Sequence, residues 1–270
     1  MSDQPGPDEL LAAAVASARA AGDYALANLN RRGETVTSTR HDVKLRLDTE
    51  CQIRAEAVIL ERFPDHGILG EETAGNPRAP AEGCDLQWIV DPLDGTVNFS
   101  HGLPIWCSSV AVRRNDSILA GAVYAPELGE LYTATADGPA LVNGVEIRVS
   151  SVSVLSKAMV YTGTNKGSDE EDRPPFALFE AIARSVQRPR IVGSAALDLC
   201  RVARGQGDAY FEANIHTWDV AAAGLMVTRA GGKTEILRRF DDQRLLFMGT
   251  NGKLHESLKR LTLDVLETGG

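Results

Sequence analysis

Two carboxylates crowded into one short turn are the residues of this sequence best suited to chemistry. Asp91 and Asp94 stand three positions apart, directly after an apolar run over residues 86–90, Leu-Gln-Trp-Ile-Val. That run predicts a buried strand, and Pro92 predicts its end because proline has no backbone N–H to donate. Neighbouring carboxylates repel each other unless a cation lies between them, and oxygen ligands suit a hard cation such as Mg2+. The apolar strand leading into the turn favours a metal site over an Asp-rich surface turn.

The next two residues, Gly95 and Thr96, add an anion site to the same turn. Glycine permits close approach of the backbone, and Thr96 offers a hydroxyl group. If the N–H groups of both residues begin a helical turn, they can receive a phosphate. A second turn, Gly193-Ser194-Ala195-Ala196, is predicted to lead from a strand into a helix with free N–H groups at its start. Both turns therefore point to phosphate.

Four further acidic residues stand where a strand or a helix begins or ends. Glu71 follows a short strand and can point towards the aspartate turn, although a solvated loop acid is an equally good interpretation. Asp219 begins an almost wholly apolar helix, where it could bind a cation or simply favour the helix dipole. Asp48 could be only a helix cap, and Glu212 only an edge residue of a strand. His216 precedes the apolar helix and is assigned no role, because a packed or capping histidine is more common there.

The elements that position these residues fall into two halves of different type. The half at about 1–155 predicts an α+β arrangement with an antiparallel meander, and the half at about 156–270 predicts alternating strands and helices, so a single domain with layered sheets is expected. Helices are predicted at Asp8 to about Asn28, Thr49–Phe63, Pro175–Val186, Ser194–Ala203, Trp218–Ala230 and Asn251 to about Leu266. Besides the run at 86–90, strands are predicted at His41–Asp48, Ile68–Leu69, Ile105–Arg113, Ile118–Ala125, Glu130–Thr135, Ala140–Val142, Val145–Val149, Ala158–Thr162, Arg190–Val192, Ala209–Glu212, Lys233–Ile236 and Leu245–Met248, with loops at Arg31–Arg40 and 73–85.

The composition limits the classes of function. The 270 residues carry a formal net charge of −9, which argues against a nucleic-acid surface because such surfaces need clustered Lys and Arg. Four scattered cysteines without a C-x-x-C pair fit reduced thiols better than a zinc site or a disulfide framework. Residues 1–7 lack a signal-peptide pattern, and no run of about 18 apolar residues predicts a membrane span. A cytoplasmic protein without a membrane or nucleic-acid partner is expected.

Several motifs, taken together, resemble the inositol monophosphatase family of magnesium-dependent, lithium-sensitive phosphomonoesterases. They are Gly70-Glu71-Glu72, the stretch Trp88–Phe99, Gly193-Ser194-Ala195-Ala196, Asp208–Glu212, and Trp218–Gly224 followed by Ala230-Gly231-Gly232. The motifs follow the family's order from about Asp8 to Leu266. The resemblance implies a layered αβαβα sandwich, two to three Mg2+ ions, a homodimer, and a small phosphate monoester as substrate.

The resemblance also implies a role for each candidate residue. Glu71, Asp91 and the Leu93 carbonyl would hold a first Mg2+, and Asp91, Asp94 and Asp219 would hold a second, while a third, weaker ion could share Glu71. The pair Asp48 and Thr96 would orient and activate the attacking water, with Glu71 as a further catalytic residue. The N–H groups of Gly95 and Thr96 would bind the phosphate, and Ala195 and Glu212, with Asp94 and Asp219, would face the alcohol part of the substrate. Gly193 and Ser194, from the second turn that points to phosphate, are also expected to bind the substrate.

The substrate is open among several phosphates. Inositol monophosphate comes first, since Glu212 can accept hydrogen bonds from its hydroxyls, but this acid suits the ammonium group of histidinol phosphate equally well. A fructose bisphosphatase or a nucleotide 3′-phosphatase is a further alternative, the latter disfavoured by the lack of a basic or aromatic adenine site. A non-catalytic alternative is a binding partner of the RNA-synthesis machinery, a role that some family members are thought to have. Lys44 and Arg46, just before Asp48, depart from the family's pattern and bear on the substrate.

Overall fold

Helices and strands form most of the chain in the computed structural model, which describes residues 5–38, 43–163, 173–240 and 243–268. The helices are α1 (Pro7–Ala27), α2 (Arg46–Arg62), α3 (Thr96–Ser100), α4 (Arg173–Ser185), α5 (Ala195–Ala203), α6 (Thr217–Arg229) and α7 (His255–Thr268). A two-stranded ribbon is formed by β1 (Thr35–Ser38) and β2 (Val43–Leu45). Most predicted helices are confirmed to within a few residues, and the exceptions are informative.

The first half of the chain forms a seven-stranded sheet in the order β3-β4-β5-β6-β7-β8-β9. Its strands are β3 (Gly67–Gly70), β4 (Leu86–Asp94), β5 (Cys107–Arg114), β6 (Ser117–Ala125), β7 (Glu130–Thr135), β8 (Leu141–Val142) and β9 (Val145–Glu146). Strands β4 to β9 pair antiparallel in sequence order, so the predicted meander is confirmed. The edge strand β3 pairs parallel with β4, which brings the ends of both strands to one side of the sheet.

The second half forms a five-stranded mixed sheet in the order β11-β10-β12-β14-β13. Its strands are β10 (Met159–Thr162), β11 (Arg188–Arg190), β12 (Ala209–His216), β13 (Lys233–Arg239) and β14 (Arg244–Thr250). Strand β10 runs parallel to β11 and β12, whereas β14 pairs antiparallel with β12 and β13. Strand β12 is longer than predicted, because it continues past Glu212 through a bulge in which Asn214 has a φ of 63°.

Helix α6 holds the two sheets together. Eleven of its residues, from Thr217 to Val227, are buried, and they contact strands of both sheets. Helix α5 packs beside it, while α1 and α2 cover the outer face of the first sheet and α4 and α7 pack together against the second. The layers therefore alternate as an αβαβα sandwich, as the resemblance implied. A helix buried on almost every side must be apolar all round, which is what the sequence from Val220 to Val227 provides.

Helix α2 begins earlier than predicted, and this corrects the assignment of Asp48 as its N-cap. Leu45 occupies the cap position, and Asp48 is the third helical residue, whose Oδ2 accepts the Leu45 N–H at 2.7 Å. A carboxylate in the first helical turn satisfies an N–H group that otherwise lacks an acceptor. The predicted strand over 41–48 is therefore confined to β2 among the described residues, and the predicted loop at Arg31–Arg40 contains β1, with residues 39–42 outside the described ranges.

Strand β4 continues through Pro92 to Asp94, although the sequence predicted that it stops at Asp91. Asp91 pairs with Ser109 and Asp94 with Cys107, so β4 contains one more residue than β5 between these two pairs. That extra residue is a β-bulge, and proline is tolerated there because a bulge leaves the ladder locally unpaired. The Ser108 hydroxyl donates to the Pro92 carbonyl at 2.6 Å. The bulge turns the two aspartates towards one point instead of opposite faces of the sheet.

Candidate active site

Three aspartates from two elements meet between the sheets. Asp91 and Asp94 lie at the end of β4, and Asp219 lies in the first turn of α6. One carboxylate oxygen from each lies within 4.8 Å of the others, so the three form the acidic triad. Asp91 Oδ1 accepts the Leu93 N–H at 3.0 Å, and Asp219 Oδ2 accepts the His216 N–H at 2.9 Å. These local hydrogen bonds fix two of the carboxylates before any ligand is present.

Asp94 joins the two halves of the chain through the start of α5. Its Oδ2 accepts the Ser194 hydroxyl at 2.7 Å and the Ala196 N–H at 2.8 Å, and its Oδ1 accepts the Ala195 N–H at 3.2 Å. The N–H groups at 195 and 196 are therefore not free for a phosphate, and that prediction was wrong. They face Asp94 because a buried carboxylate needs donors and a helix N-terminus offers unpaired ones. The Cys107 thiol also lies 3.7 Å from Oδ2.

Gly95 and Thr96 begin helix α3 directly after the triad. Gly95 has a φ of 96°, and a Cβ on it would lie 2.9 Å from the Ile105 carbonyl oxygen, so only glycine fits there. The predicted helical turn is thus present, with Gly95 as its N-cap. The Thr96 hydroxyl donates to the Leu93 carbonyl at 3.0 Å. Both candidate residues therefore stand beside the aspartates, and the Leu93 carbonyl already accepts one hydrogen bond.

Asn98 is a positioning residue that sequence reasoning missed. Its amide Nδ2 lies 2.8 Å from the Ile105 carbonyl oxygen, 2.9 Å from that of Val192 and 3.3 Å from that of Gly193. These contacts tie α3 to the turn that leads into α5, where Gly193 has a φ of 88°. The only indication in the sequence was an uncharged amide side chain directly after the turn, where no neighbouring residue in the sequence accounts for it.

Glu71 and Asp48 lie close to the triad without belonging to it. Glu71 is the first residue of a short 3-10 helix, Glu71–Thr73, that follows β3. Burial raises the pKa of Glu71 well above its ordinary value, and the negative charges of Asp219, Glu72 and Asp48 raise it further. Asp48 is 3% exposed and is not among the residues that line the site. Both acids therefore add negative potential to the same region.

A cavity of about 330 Å³ opens from the triad towards the second sheet, and we call it the site cavity. Its lining residues are Glu71, Asp91, Leu93, Asp94, Gly95, Thr96, Val97, Asn98, Thr162, Gly163, Ile191, Gly193, Ser194, Ala195, Asp198, Glu212, Ile215, His216 and Asp219. Every predicted site residue except Asp48 is among them. Glu212 is buried beside Gly163, and its Oε2 accepts the Tyr210 hydroxyl at 2.5 Å. Because a Cβ at Gly163 would collide with the Glu212 carboxylate, that glycine leaves room for the acid.

Asp198 and His216 are lining residues to which the sequence analysis gave no role. Asp198 is 2% exposed, and its Oδ1 accepts a hydrogen bond from Arg201 at 2.9 Å. Burial raises the pKa of Asp198 to about 8. The signal was an acid three residues before Arg201 in helix α5, whose other residues are apolar. His216 caps α6, and its ring stacks on Trp218 at 4.6 Å, which agrees with the packed and capping interpretation.

Excess negative charge dominates the electrostatics of the site cavity. Burial raises the pKa of Asp91 well above its ordinary value, and so do the charges of Glu71, Asp94 and Asp219. Burial likewise raises the pKa of Asp219, with the Asp94 charge as the next cause, and that of Asp94, although the donors from α5 oppose the shift there. Such a set of oxygen donors can be ionised together when a cation lies among them. Its chemistry fits a hard divalent metal ion.

Known proteins share this sequence and fold. A family model described as "Inositol monophosphatase family" matches residues 7–261. The chain is 37% identical to "Inositol monophosphatase" of Dictyostelium discoideum over 231 residues, which are 83% of this chain and 84% of the relative. It is also 37% identical to "Nus factor SuhB" of Haemophilus influenzae over 226 residues, 83% of each chain.

A solved structure extends the likeness to three dimensions. The inositol monophosphatase from Anabaena superimposes with a TM-score of 0.80 at 31% sequence identity, and the match covers 94% of this chain and 95% of that one. The resemblance drawn from the motifs therefore agrees with the family match, with the relatives and with the fold.

Proposed function

The chain belongs to the inositol monophosphatase family of phosphatases, which hydrolyse phosphate monoesters, and we propose that it hydrolyses a small polyol phosphate, inositol monophosphate first, with the help of Mg2+. The observation that carries this proposal is the charge of the site cavity. Among the residues that the structure describes, six that line the cavity are carboxylic acids and none is Lys or Arg. A phosphate dianion would be repelled from such a cavity unless bound cations reversed the charge. Metal-assisted phosphate hydrolysis explains both the acids and the absence of Lys and Arg among these described residues.

The residues present suit two to three Mg2+ ions. Glu71, Asp91 and the Leu93 carbonyl would hold a first ion, and Asp91, Asp94 and Asp219 a second, with a third, weaker ion sharing Glu71. Bound Mg2+ would neutralise the phosphate charge, lower the pKa of a bound water and stabilise the leaving alkoxide. The role of the protein is to hold the carboxylates in place, which the hydrogen bonds from Leu93, His216 and the start of α5 support.

Asp48 and Thr96 are proposed to hold and deprotonate the attacking water. Thr96 faces the site cavity, where its hydroxyl now donates to the Leu93 carbonyl. In the relay this hydroxyl would donate to the Asp48 carboxylate instead, and its oxygen would accept the hydrogen bond from the attacking water. Asp48 Oδ2 is engaged by the Leu45 N–H, which fixes the orientation of its carboxylate at the start of α2. A carboxylate acting through a hydroxyl is a suitable proton relay for a general base. The N–H groups of Gly95 and Thr96 would orient the phosphate.

The alcohol part of the substrate would lie against Glu212, Ala195 and the outer faces of Asp94 and Asp219. Glu212 can accept hydrogen bonds from ring hydroxyls, and nearby Asp198 adds a second acid to the same cavity. This supports a polyol, and it supports the ammonium group of histidinol phosphate as the first alternative. Fructose 1,6-bisphosphate and nucleotide 3′-phosphates rank lower, because a second phosphate would meet no Lys or Arg among the lining residues that the structure describes.

Phosphate release from a panel of substrates tests the proposal. The panel contains inositol 1-phosphate, histidinol phosphate, fructose 1,6-bisphosphate, adenosine 3′,5′-bisphosphate and glycerol 2-phosphate, each with Mg2+, with EDTA and with added Li+. We expect Mg2+-dependent release that is fastest from inositol 1-phosphate. Release that continues in EDTA would refute the metal-assisted mechanism, and a different best substrate would replace the polyol assignment.

A second candidate function rests on the relative named "Nus factor SuhB". A chain with this likeness could act as a Nus factor through its surface rather than through its site cavity. The variant Asp94→Asn separates the two functions, because it should abolish turnover while sparing a purely structural role. Retained complementation by Asp94→Asn in a strain that lacks the gene would favour the second candidate, and its loss would favour the phosphatase.

A homodimer is proposed as the functional assembly. Val97 is 43% exposed, Leu103 50% and Ile191 52%, and the Asn98 hydrogen bonds bring their segments together at the edge of the site cavity. Exposed apolar side chains clustered in this way are typical of an interface. Light scattering after gel filtration should give about twice the chain mass, and Leu103→Glu should shift the protein to a monomer. A wild-type monomer would exclude the dimer.

A cytoplasmic location is proposed from the thiols. All four cysteines are unpaired, and three of them are buried. Unpaired thiols are typical of reducing compartments. No helix in the described part of the chain is both long enough and apolar enough to cross a membrane. Cell fractionation would test the proposed location.

A further inference from the structure

A second cavity, the inter-sheet cleft, lies along the side of α6 and shares no lining residue with the site cavity. It has a volume of about 340 Å³, which is within the range of small-molecule sites. Its walls come from both sheets and from α6 itself, and its apolar lining residues are Ile89, Ile118, Val220, Ala221, Leu225, Ile236, Leu245 and Phe247. The cleft therefore offers an apolar slot between two sheets, with charged residues around it.

Arg113 is the charged lining residue that points to a ligand. It lies on β5 two positions after Ala111, which packs in the core between the sheets, so the alternation of the strand turns Arg113 towards the cleft. Its Nε and Nη2 both donate to Gln87 Oε1, at 3.0 and 2.6 Å. Within the described residues, the hydrogen-bond acceptor of the Arg113 side chain is thus a neutral amide. The Arg113 side chain is half-buried, and burial lowers its pKa, although the negative charge of Asp116 opposes this shift.

The other charged residues of the cleft already have partners of opposite charge. Asp116 accepts a hydrogen bond from Arg239 at 3.2 Å. Glu235 accepts one from Lys259 at 2.5 Å and lies 2.8 Å from His255 Nε2. When these pairs are counted as neutral, the guanidinium of Arg113 remains as the charge of the cleft. An anionic group is the complement of a half-buried guanidinium, and a carboxylate matches its planar fork.

We propose that the inter-sheet cleft binds a small amphipathic carboxylate, with its apolar body between Ile118, Leu225 and Phe247 and its carboxylate on Arg113. This binding site is additional to the phosphatase site and does not depend on the substrate of the latter. It lies beside the elements that carry the acidic triad, because Val220 directly follows Asp219 and Ile89 lies two residues before Asp91. A ligand in the cleft therefore touches both elements without touching the triad.

Calorimetric titration of the full-length protein with 2-naphthoate tests this site. We expect one saturable site per chain in the wild type. Because a charge-assisted hydrogen bond is lost, Arg113→Gln should weaken binding at least about tenfold, and Arg113→Lys should weaken it less. The neutral analogue 2-naphthamide should bind wild type and Arg113→Gln with the same low affinity. Thermal melts of each variant establish that it is folded.

Arg114→Gln is the matched control, because it removes the same charge from the adjacent residue. Arg114 pairs with Asp85 at 3.0 Å and is not part of the cleft lining, so this variant should bind 2-naphthoate as the wild type does. The proposal fails if the wild type shows no saturable binding, if Arg113→Gln binds as tightly as wild type, or if Arg114→Gln loses as much affinity. Sedimentation of the same samples shows whether the chain self-associates. This identifies the case in which the proposal fails because a second copy of the chain fills the cleft.

Discussion

At the scale of single residues, the carboxylates of Asp94 and Asp48 are held by different sets of hydrogen-bond donors, and the roles proposed for them differ as well. Asp94 accepts three hydrogen bonds from the start of α5, whereas Asp48 is held by the Leu45 N–H at the start of α2. A metal ligand and a water-activating base should respond differently to loss of charge. Conversion of each acid to its amide keeps the shape of the side chain and removes the charge.

Asp48→Asn should therefore lower turnover far more than Mg2+ affinity. The amide oxygen can still accept the Leu45 N–H, so α2 keeps its start, but the proton relay through Thr96 is lost. We expect kcat to fall by about 10²–10⁴ while the Mg2+ dissociation constant, measured by calorimetry, changes less than about threefold. Asp91→Asn is the comparison and should weaken Mg2+ binding itself. A collapse of Mg2+ binding in Asp48→Asn would make Asp48 a metal ligand.

Asp198→Asn should reduce the pH dependence of stability in the presence of EDTA. Burial raises the pKa of Asp198 to about 8 in the folded protein, from an ordinary value of 3.8. Between these values the folded state binds more protons than the unfolded state, so Asp198 lowers stability as pH rises from about 4 to about 8. The amide cannot ionise, and it can still accept the hydrogen bond from Arg201.

Urea unfolding of wild type and Asp198→Asn at pH 5 and pH 8 measures this effect. The variant should lose less free energy of unfolding than the wild type between the two pH values, while the other acids of the cavity affect both proteins alike. Equal losses would mean that Asp198 is ionised throughout this range in the folded protein.

At the scale of elements, three local backbone features position the residues of the site. They are the bulge in β4, the left-handed residue before α3 and the turn before α5. Gly95 is the most constrained of these positions, because its φ is 96° and a Cβ would meet the Ile105 carbonyl oxygen at 2.9 Å. The site thus depends on backbone geometry as well as on its carboxylates.

Gly95→Ala should destabilise the protein by about 1–3 kcal/mol, since a left-handed conformation and a backbone collision both oppose the methyl group. Gly75→Ala is the matched control, because no atom lies within 4 Å of a Cβ there and its φ is not positive. It should change stability by less than about 0.5 kcal/mol. Urea midpoints of the two variants provide the comparison, and equal midpoints would contradict the assigned strain.

The sequence predicts the regular elements well and the local hydrogen bonds poorly, for a physical reason. Helix α6 is apolar on every side, so its burial follows from composition, and the Asn143-Gly144 turn specifies a hairpin between β8 and β9. The bulge at Pro92 and the early start of α2 depend on partners outside the local pattern, namely Ser108 for Pro92 and a side chain three residues ahead for Leu45.

The residues of the site show the same difference between what the sequence predicts well and what it predicts poorly. Apart from Asp198, the acidic residues of the described lining could be identified because a carboxylate beside an apolar strand or helix is unusual. The direction of the N–H groups at 195 and 196 could not, because it depends on Asp94, which is about a hundred residues away in the sequence. Asn98 was missed for the same reason, since its acceptors at Val192 and Gly193 are equally distant.

At the scale of the whole molecule, the proposed metal site is shared between the two halves of the chain. Asp91 and Asp94 come from the first sheet, and Asp219 comes from the helix between the sheets. The prediction that residues 1–270 form a single domain therefore has a thermodynamic consequence. If the two halves unfold together, an ion bound by both halves stabilises the entire chain against unfolding. If the halves unfold separately, the ion does not stabilise the chain as one unit.

We expect one cooperative unfolding transition whose midpoint rises when Mg2+ is added. A ligand at one hundred times its dissociation constant stabilises a folded protein by about 2.7 kcal/mol for each site. Asp91→Asn in the first half and Asp219→Asn in the second should both reduce this gain, since each removes a ligand from the second ion. Asp91→Asn should reduce it more, because Asp91 is also a proposed ligand of the first ion. Glu82→Gln, in the exposed loop between β3 and β4, should keep the full gain. Two transitions in differential scanning calorimetry, or an Mg2+ effect confined to one of them, would instead show two independently folding units that meet at the site.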